Sequence, residues 1–133
     1  VGVSRTSKTP LSTFLAHKGY KVGNVPLVLD RPPPSELWDV DSQRIMALTI
    51  DPGALQHIRK ARMEAMGMPK ATNYGDFDYI QAELEYANDL FYSHPEWPVI
   101  DVTNKAVEET AAIILRVLQD RGLSESRGET SQL

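Results

Sequence analysis

Eight residues close to the start of the chain, Gly2-Val3-Ser4-Arg5-Thr6-Ser7-Lys8-Thr9, constrain the fold most strongly. They follow the phosphate-loop spacing G-x-x-x-x-G-K-[ST] at every defined position but one, where Ser7 replaces the second glycine. Such a loop works through its backbone. Successive N–H groups and the N-terminus of the next helix point at phosphate oxygens. The loop therefore needs a strand before it and a helix after it. The helix is legible: Pro10 suits the first turn, where a missing N–H costs nothing, and Leu11, Phe14 and Leu15 recur at helical spacing, with Gly19 as the stop. The strand is expected to be missing apart from Val1, so the chain reads as N-terminally truncated.

Within the loop, Ser7 can supply its N–H as glycine does if its φ is negative. A positive φ would cost it about 1 kcal/mol or more. Lys8 is expected to neutralise the terminal phosphates and Thr9 to offer its hydroxyl to Mg²⁺. Arg5 either touches a phosphate or stays in solvent. The alternative is a polar turn in which Ser7 or Thr9 merely caps the helix.

Downstream, apolar runs alternate with amphipathic helices. "YKVGNVPLVL" (20–29), "RIMALTI" (44–50) and "PVIDVT" (98–103) read as strands. A helix is expected from Pro52, with Asp51 as N-cap, Gly67 as stop, and Ala54, Ile58, Ala61 and Ala65 on one face. After a short polar loop, 69–75, Phe77, Ile80, Leu84, Ala87 and Phe91 mark a long amphipathic helix. Val107, Ala111, Ile114 and Leu118 mark the last helix, with Glu108 and Glu109 at its favourable N-terminal end. Alternation of this kind predicts an α/β domain, a P-loop-kinase-like parallel sheet flanked by helices, over residues 1–121. Residues 122–133 read as a polar, disordered tail.

Composition narrows the function classes. The net charge of −4 argues against a nucleic-acid partner, and no apolar stretch approaches the length of a membrane span. Cysteine is absent, which excludes disulfides, thiol catalysis and Cys-based zinc sites. A cytoplasmic location is the default, or a plastid stroma for a plant source; self-association stays open.

Other candidate groups lie where the strands end. Asp51 and Asp101 each close a predicted strand, the position at which ligands of open α/β sheets bind. Either could support Mg²⁺, a water or an attacking hydroxyl, although Asp51 before Pro52 also fits plain helix capping. Arg59 and Arg62, three apart, are expected on one helix face, as cations closing over a transferring phosphoryl group or as a solvated basic surface. His17, His57 and His94 have no metal-ligand spacing and read as surface residues; Trp38 and Trp97 read as packing residues. The acidic helix from Asp76 to Ser93 reads as a solvated face, with a partner-docking face as the alternative. These motifs leave three function classes open: a regulatory kinase, a small-molecule P-loop kinase, and a non-catalytic nucleotide-binding module.

Longer strings go further. "GVSRTSKTPLSTFLAHKGYKVGNVPLV", "LTIDP", "IRKAR", "ELEYA" and "WPVIDVTNKAVEETAA" together resemble the C-terminal part of the regulatory proteins of pyruvate, phosphate dikinase and of phosphoenolpyruvate synthase, from Val1 to about Arg121. In that family a serine before the lysine is the ordinary variant. The resemblance implies ADP-dependent phosphorylation of a threonine of the dikinase, which inactivates it. It also implies removal of that phosphate by inorganic phosphate, releasing pyrophosphate. It implies further that Gly2 to Thr9 bind ADP with Lys8 on its phosphates, and that the partner is the dikinase or the synthase. The family's N-terminal domain is absent from the residues matched, so the chain alone is expected to be inactive.

Overall fold

The computed structural model describes residues 1–3, 6, 8–67 and 73–123. Four helices, α1 (Lys8–His17), α2 (Pro52–Met66), α3 (Phe77–Tyr92) and α4 (Val107–Asp120), accompany two parallel strands, β1 (Ala47–Thr49) and β2 (Val99–Asp101). The register pairs Ala47 with Val99, Leu48 with Ile100 and Thr49 with Asp101. α2 and α3 lie between the two strands in the chain and supply the crossover that a parallel pair needs. α1 packs on α4, and α2 packs on α3, which also touches β1. The α/β class read from the sequence is the class observed.

Two further rows extend the sheet beyond β1. The Leu48 N–H donates to the Val1 carbonyl at 2.8 Å, and the Val1 nitrogen donates to the Met46 carbonyl at 2.9 Å. On the other side the Gly2 N–H donates to Val25 and the Leu27 N–H donates to Gly2, at 3.2 and 2.9 Å, which makes a parallel bridge between Gly2 and Pro26. The order of rows is thus 25–27, 1–3, β1, β2. The row before the loop is short: Val1 and Gly2 pair through these bonds and one isolated bridge, and among the described residues no regular strand precedes α1.

The stretch 20–29 is corrected. It forms no regular strand: Leu27 is buried, while Val22 and Val28 are exposed. Pro26 explains why pairing goes no further. Gly2 is satisfied by the groups on either side of Pro26, so the edge that Pro26 itself presents outward has no N–H to donate.

Local signals fix the helix ends as read. The Asp51 carboxylate accepts from the Ala54 N–H at 2.9 Å, Pro52 opens α2, and Gly67 closes it at φ 65°, a conformation glycine adopts without strain. Gly19 closes α1 in the same way at φ 98°. The buried face of α2, however, is Leu55 and Arg59, and Ile58 from the expected face is exposed. On α3 the expected Ile80, Leu84, Ala87 and Phe91 are buried, Glu83 joins them, and Phe77 is left exposed. α4 buries Ala111, Ile114 and Leu118 as expected, with Thr110 beside them, and its Glu109 carboxylate accepts from the Ala106 N–H at 3.2 Å. Of the expected 69–75 loop, residues 69–72 lie outside the described residues, as does nearly all of the tail. Among the described residues no helix is long and apolar enough to cross a membrane.

Candidate functional site

In a parallel sheet every strand delivers its carboxyl end to the same edge, and ligands bind there. That edge holds the end of the Val1–Val3 row, Asp51 after β1, and Asp101 at the end of β2. α1 follows that row in the chain, with Lys8 as its N-terminal residue. Ser4, Arg5 and Ser7 lie outside the described residues.

The described part of the loop is tightly built. Val3 and Thr6 are fully buried. The Thr6 hydroxyl donates to the Val3 carbonyl at 2.8 Å, and the Lys8 ammonium donates to the same carbonyl at 2.5 Å and to Thr6 Oγ1 at 3.3 Å. Lys8 thus reaches back from the start of α1 to Val3 and Thr6. Gly2 is required by close approach: a Cβ there would stand 2.8 Å from Thr6 Oγ1 and 3.1 Å from the Leu48 carbonyl. Thr9 is exposed on the first turn of α1, and its hydroxyl accepts from Asn24 Nδ2 at 3.4 Å. Asn24 also receives a hydrogen bond from the Ser12 hydroxyl, so the 20–25 segment is laced to α1. Beside it lies a cleft of about 510 Å³, lined by Lys8, Asn24, Leu11, Leu48 and Ile114 among others.

In a polypeptide that starts at Val1, burial lowers the affinity of the Val1 amine for a proton to a pKa of about 5, with the Lys8 charge adding to the effect. Asp101 is shifted down as well. Its Oδ1 accepts the Thr103 hydroxyl at 2.6 Å and the Thr103 N–H at 2.9 Å, and Lys105 contributes a smaller attraction, against a small opposing effect of burial. Both hydrogen bonds favour the carboxylate, so Asp101 is ionised at neutral pH and a weak base. Asp51 is exposed and spends Oδ2 on the cap of α2. The structure brings Asp51 and Asp101 together through Thr103, whose Oγ1 also accepts the Asp51 N–H at 2.8 Å.

The arginines are placed differently from the expectation. Arg59 is wholly buried; its Nη1 meets Glu83 Oε1 at 2.5 Å and the Tyr74 carbonyl at 3.2 Å, and its guanidinium sits 4.6 Å from the Tyr74 ring centroid. Arg62 is exposed. The two do not form a shared cationic face, and Arg59 serves the contact between α2 and α3. Glu83 is corrected from a solvated face to its buried counter-ion. His94 is not a simple surface residue either: it stacks on Trp97 at 4.3 Å and on Trp38 at 5.3 Å. Among the described residues no group of three or more His, Asp or Glu is placed to hold a metal ion.

Thr103, Lys105 and Asn24 went unread in the sequence. For Thr103 a local signal existed. An Asp followed two residues later by Thr at a strand end favours a turn in which the carboxylate caps the following N–H.

A family model described as kinase/pyrophosphorylase matches residues 1–115. The chain belongs to the kinase/pyrophosphorylase family. It is 56% identical over 121 residues to a protein of Sorangium cellulosum provisionally named pyruvate, phosphate dikinase regulatory protein, covering 91% of this chain and 43% of that one. A Bdellovibrio bacteriovorus protein with the same provisional name is 52% identical over 127 residues, 95% of this chain and 45% of its own. The Zea mays pyruvate, phosphate dikinase regulatory protein, chloroplastic, is 50% identical over 121 residues, 90% of this chain and 28% of its own. The chain therefore spans less than half the length of these relatives.

Proposed function

We propose that this kinase/pyrophosphorylase chain carries the nucleotide-binding part of a bifunctional regulator of pyruvate, phosphate dikinase. The observation that carries the reading is the burial of Gly2, Val3 and Thr6 just before α1, with the Lys8 ammonium at the helix start held on the Val3 carbonyl. Identities of 50–56% to proteins named for that regulation support the choice of target.

In the inactivating direction the β-phosphate of ADP lies at the N-terminus of α1. Partial positive charge at the helix end and the Lys8 ammonium, released from the Val3 carbonyl, offset its negative charge. A threonine hydroxyl of the dikinase attacks the β-phosphorus, the P–O bond to the α-phosphate breaks, and AMP leaves while the hydroxyl proton passes to a base or to solvent. In the activating direction inorganic phosphate attacks the phosphothreonine, the threonine oxygen regains a proton, and pyrophosphate leaves. One anion cradle serves both, because the attacking phosphate occupies the place of the β-phosphate. Thr9 is the residue that would hold Mg²⁺, with the ADP phosphates as its main ligands, as Mg²⁺ binding through substrate phosphates and few protein groups allows. Bound there, Mg²⁺ would supply charge neutralisation.

The shared cradle makes a direct test. Calorimetric titration of ADP, repeated at rising inorganic phosphate, should show competition between the two. Binding of ADP that phosphate leaves untouched would sink the common-site mechanism.

A further inference from the structure

One hydroxyl joins the carboxyl ends of β1 and β2. The Asp51 N–H can only donate, so Thr103 Oγ1 accepts it, at 2.8 Å. The single proton of that hydroxyl is then committed to Asp101 Oδ1, 2.6 Å away, where the Thr103 N–H also donates at 2.9 Å. Oδ1 is thereby spent on two hydrogen bonds. Among the described residues Oδ2 of the same carboxylate takes none. The backbone around it is held: the Lys105 ammonium donates to the Asp101 carbonyl at 2.7 Å, the Val102 N–H donates to Thr49 at 2.9 Å, and Asn104 adopts φ 56° to close the turn. Asp101 Oδ1 is thus held in place, and Oδ2 is the oxygen of that carboxylate without a hydrogen bond among the described residues, at the carboxyl edge of the sheet.

We infer that Thr103 is a positioning residue for phosphoryl transfer: its hydroxyl ties β1 to β2 and turns Asp101 Oδ2 toward the reacting groups. This rests on the kinase reading above. A carboxylate so held is a poor proton acceptor. Its use is as a fixed acceptor that orients the attacking hydroxyl, and positioning of this kind is what phosphoryl transfer mainly asks of a protein. The charged groups beside it are Lys105, which adds to the preference for the carboxylate, and Asp51, whose Oδ2 is engaged by the Ala54 N–H.

The test uses this chain in place of the matching region of the Sorangium relative, with Thr103→Val, Thr103→Ser and Asp101→Asn. Rates of transfer from ADP are followed against pH, and the Asp101 carboxyl is titrated by carbon NMR. Thr103→Val should lower kcat about tenfold or more, leave KM for ADP within about threefold, and raise the pH of both the acid limb and the Asp101 titration. Thr103→Ser should restore all three. Thr103→Ala serves the same comparison if the valine variant does not fold. A valine variant with the parent's kcat and acid limb would overturn the inference, and so would a serine variant as impaired as valine. Full transfer by Asp101→Asn would overturn it while leaving the kinase reading intact. If the parent transfers nothing, the kinase reading fails, and an unmoved Asp101 titration in Thr103→Val then rejects the Thr103 geometry separately.

Discussion

Replacing Glu83 by Leu isolates the role of the buried Arg59. The ion pair bridges α2 and α3 with Arg59 fully shielded and Glu83 nearly so, and the second contact, Nη2 to Oε2, is 3.3 Å. Removing only the carboxylate strands a guanidinium in the interior, which typically costs about 3–5 kcal/mol. For a chain of 133 residues that corresponds to a fall in Tm on the order of 10–20 °C. Replacing both partners, Arg59→Met with Glu83→Leu, removes the charge along with its desolvation cost. The remaining loss is the Tyr74 carbonyl bond and the ring stacking, about 1–3 kcal/mol together. Urea unfolding of the parent, both single variants and the double variant gives the coupling directly. The double variant should be more stable than Glu83→Leu by at least about 1 kcal/mol. A double variant no more stable than that single one, or a Glu83→Leu cost under about 1 kcal/mol, would refute the assignment of Arg59 to the helix contact.

Gly2→Ala places a methyl 2.8 Å from Thr6 Oγ1 and 3.1 Å from the Leu48 carbonyl, so it should destabilise by about 1–3 kcal/mol in thermal melts, and Thr6→Ala in the same chain should recover part of that. A polypeptide whose first residue is Val1 should also show a pH-dependent stability. Its amine has an ordinary pKa of 8.0 and a folded pKa of about 5, so the folded state binds fewer protons in between and stability falls as pH drops through that window. The three-unit difference caps the effect at about 4 kcal/mol, and adding one residue before Val1, which turns the amine into an amide, should abolish it.

Features encoded over short stretches were legible in the sequence. The caps of α2 follow from Asp51, Pro52 and Gly67, and the order of elements follows from the alternation of apolar runs and helical spacing. Features set by distant partners were not. The buried side of α2 depends on Glu83, 24 residues beyond Arg59 in the chain, and no window around Arg59 contains it. The 20–29 stretch has strand-like composition, yet its pairing depends on Gly2 and is limited by Pro26. At the candidate site the two aspartates were read from their place at the strand ends. Their junction was not, because Thr103 reaches the Asp51 N–H across 52 residues. The Asx-type turn that holds Asp101 was within reach of a local reading.

The most direct measurement is transfer of label from ADP carrying a radioactive β-phosphate to pyruvate, phosphate dikinase, with this chain in the frame of the Sorangium relative. The account predicts phosphothreonine on the dikinase and unlabelled AMP in solution, both lost in Lys8→Ala. ADP that neither binds nor transfers its β-phosphate, or transfer that survives Lys8→Ala unchanged, would contradict it.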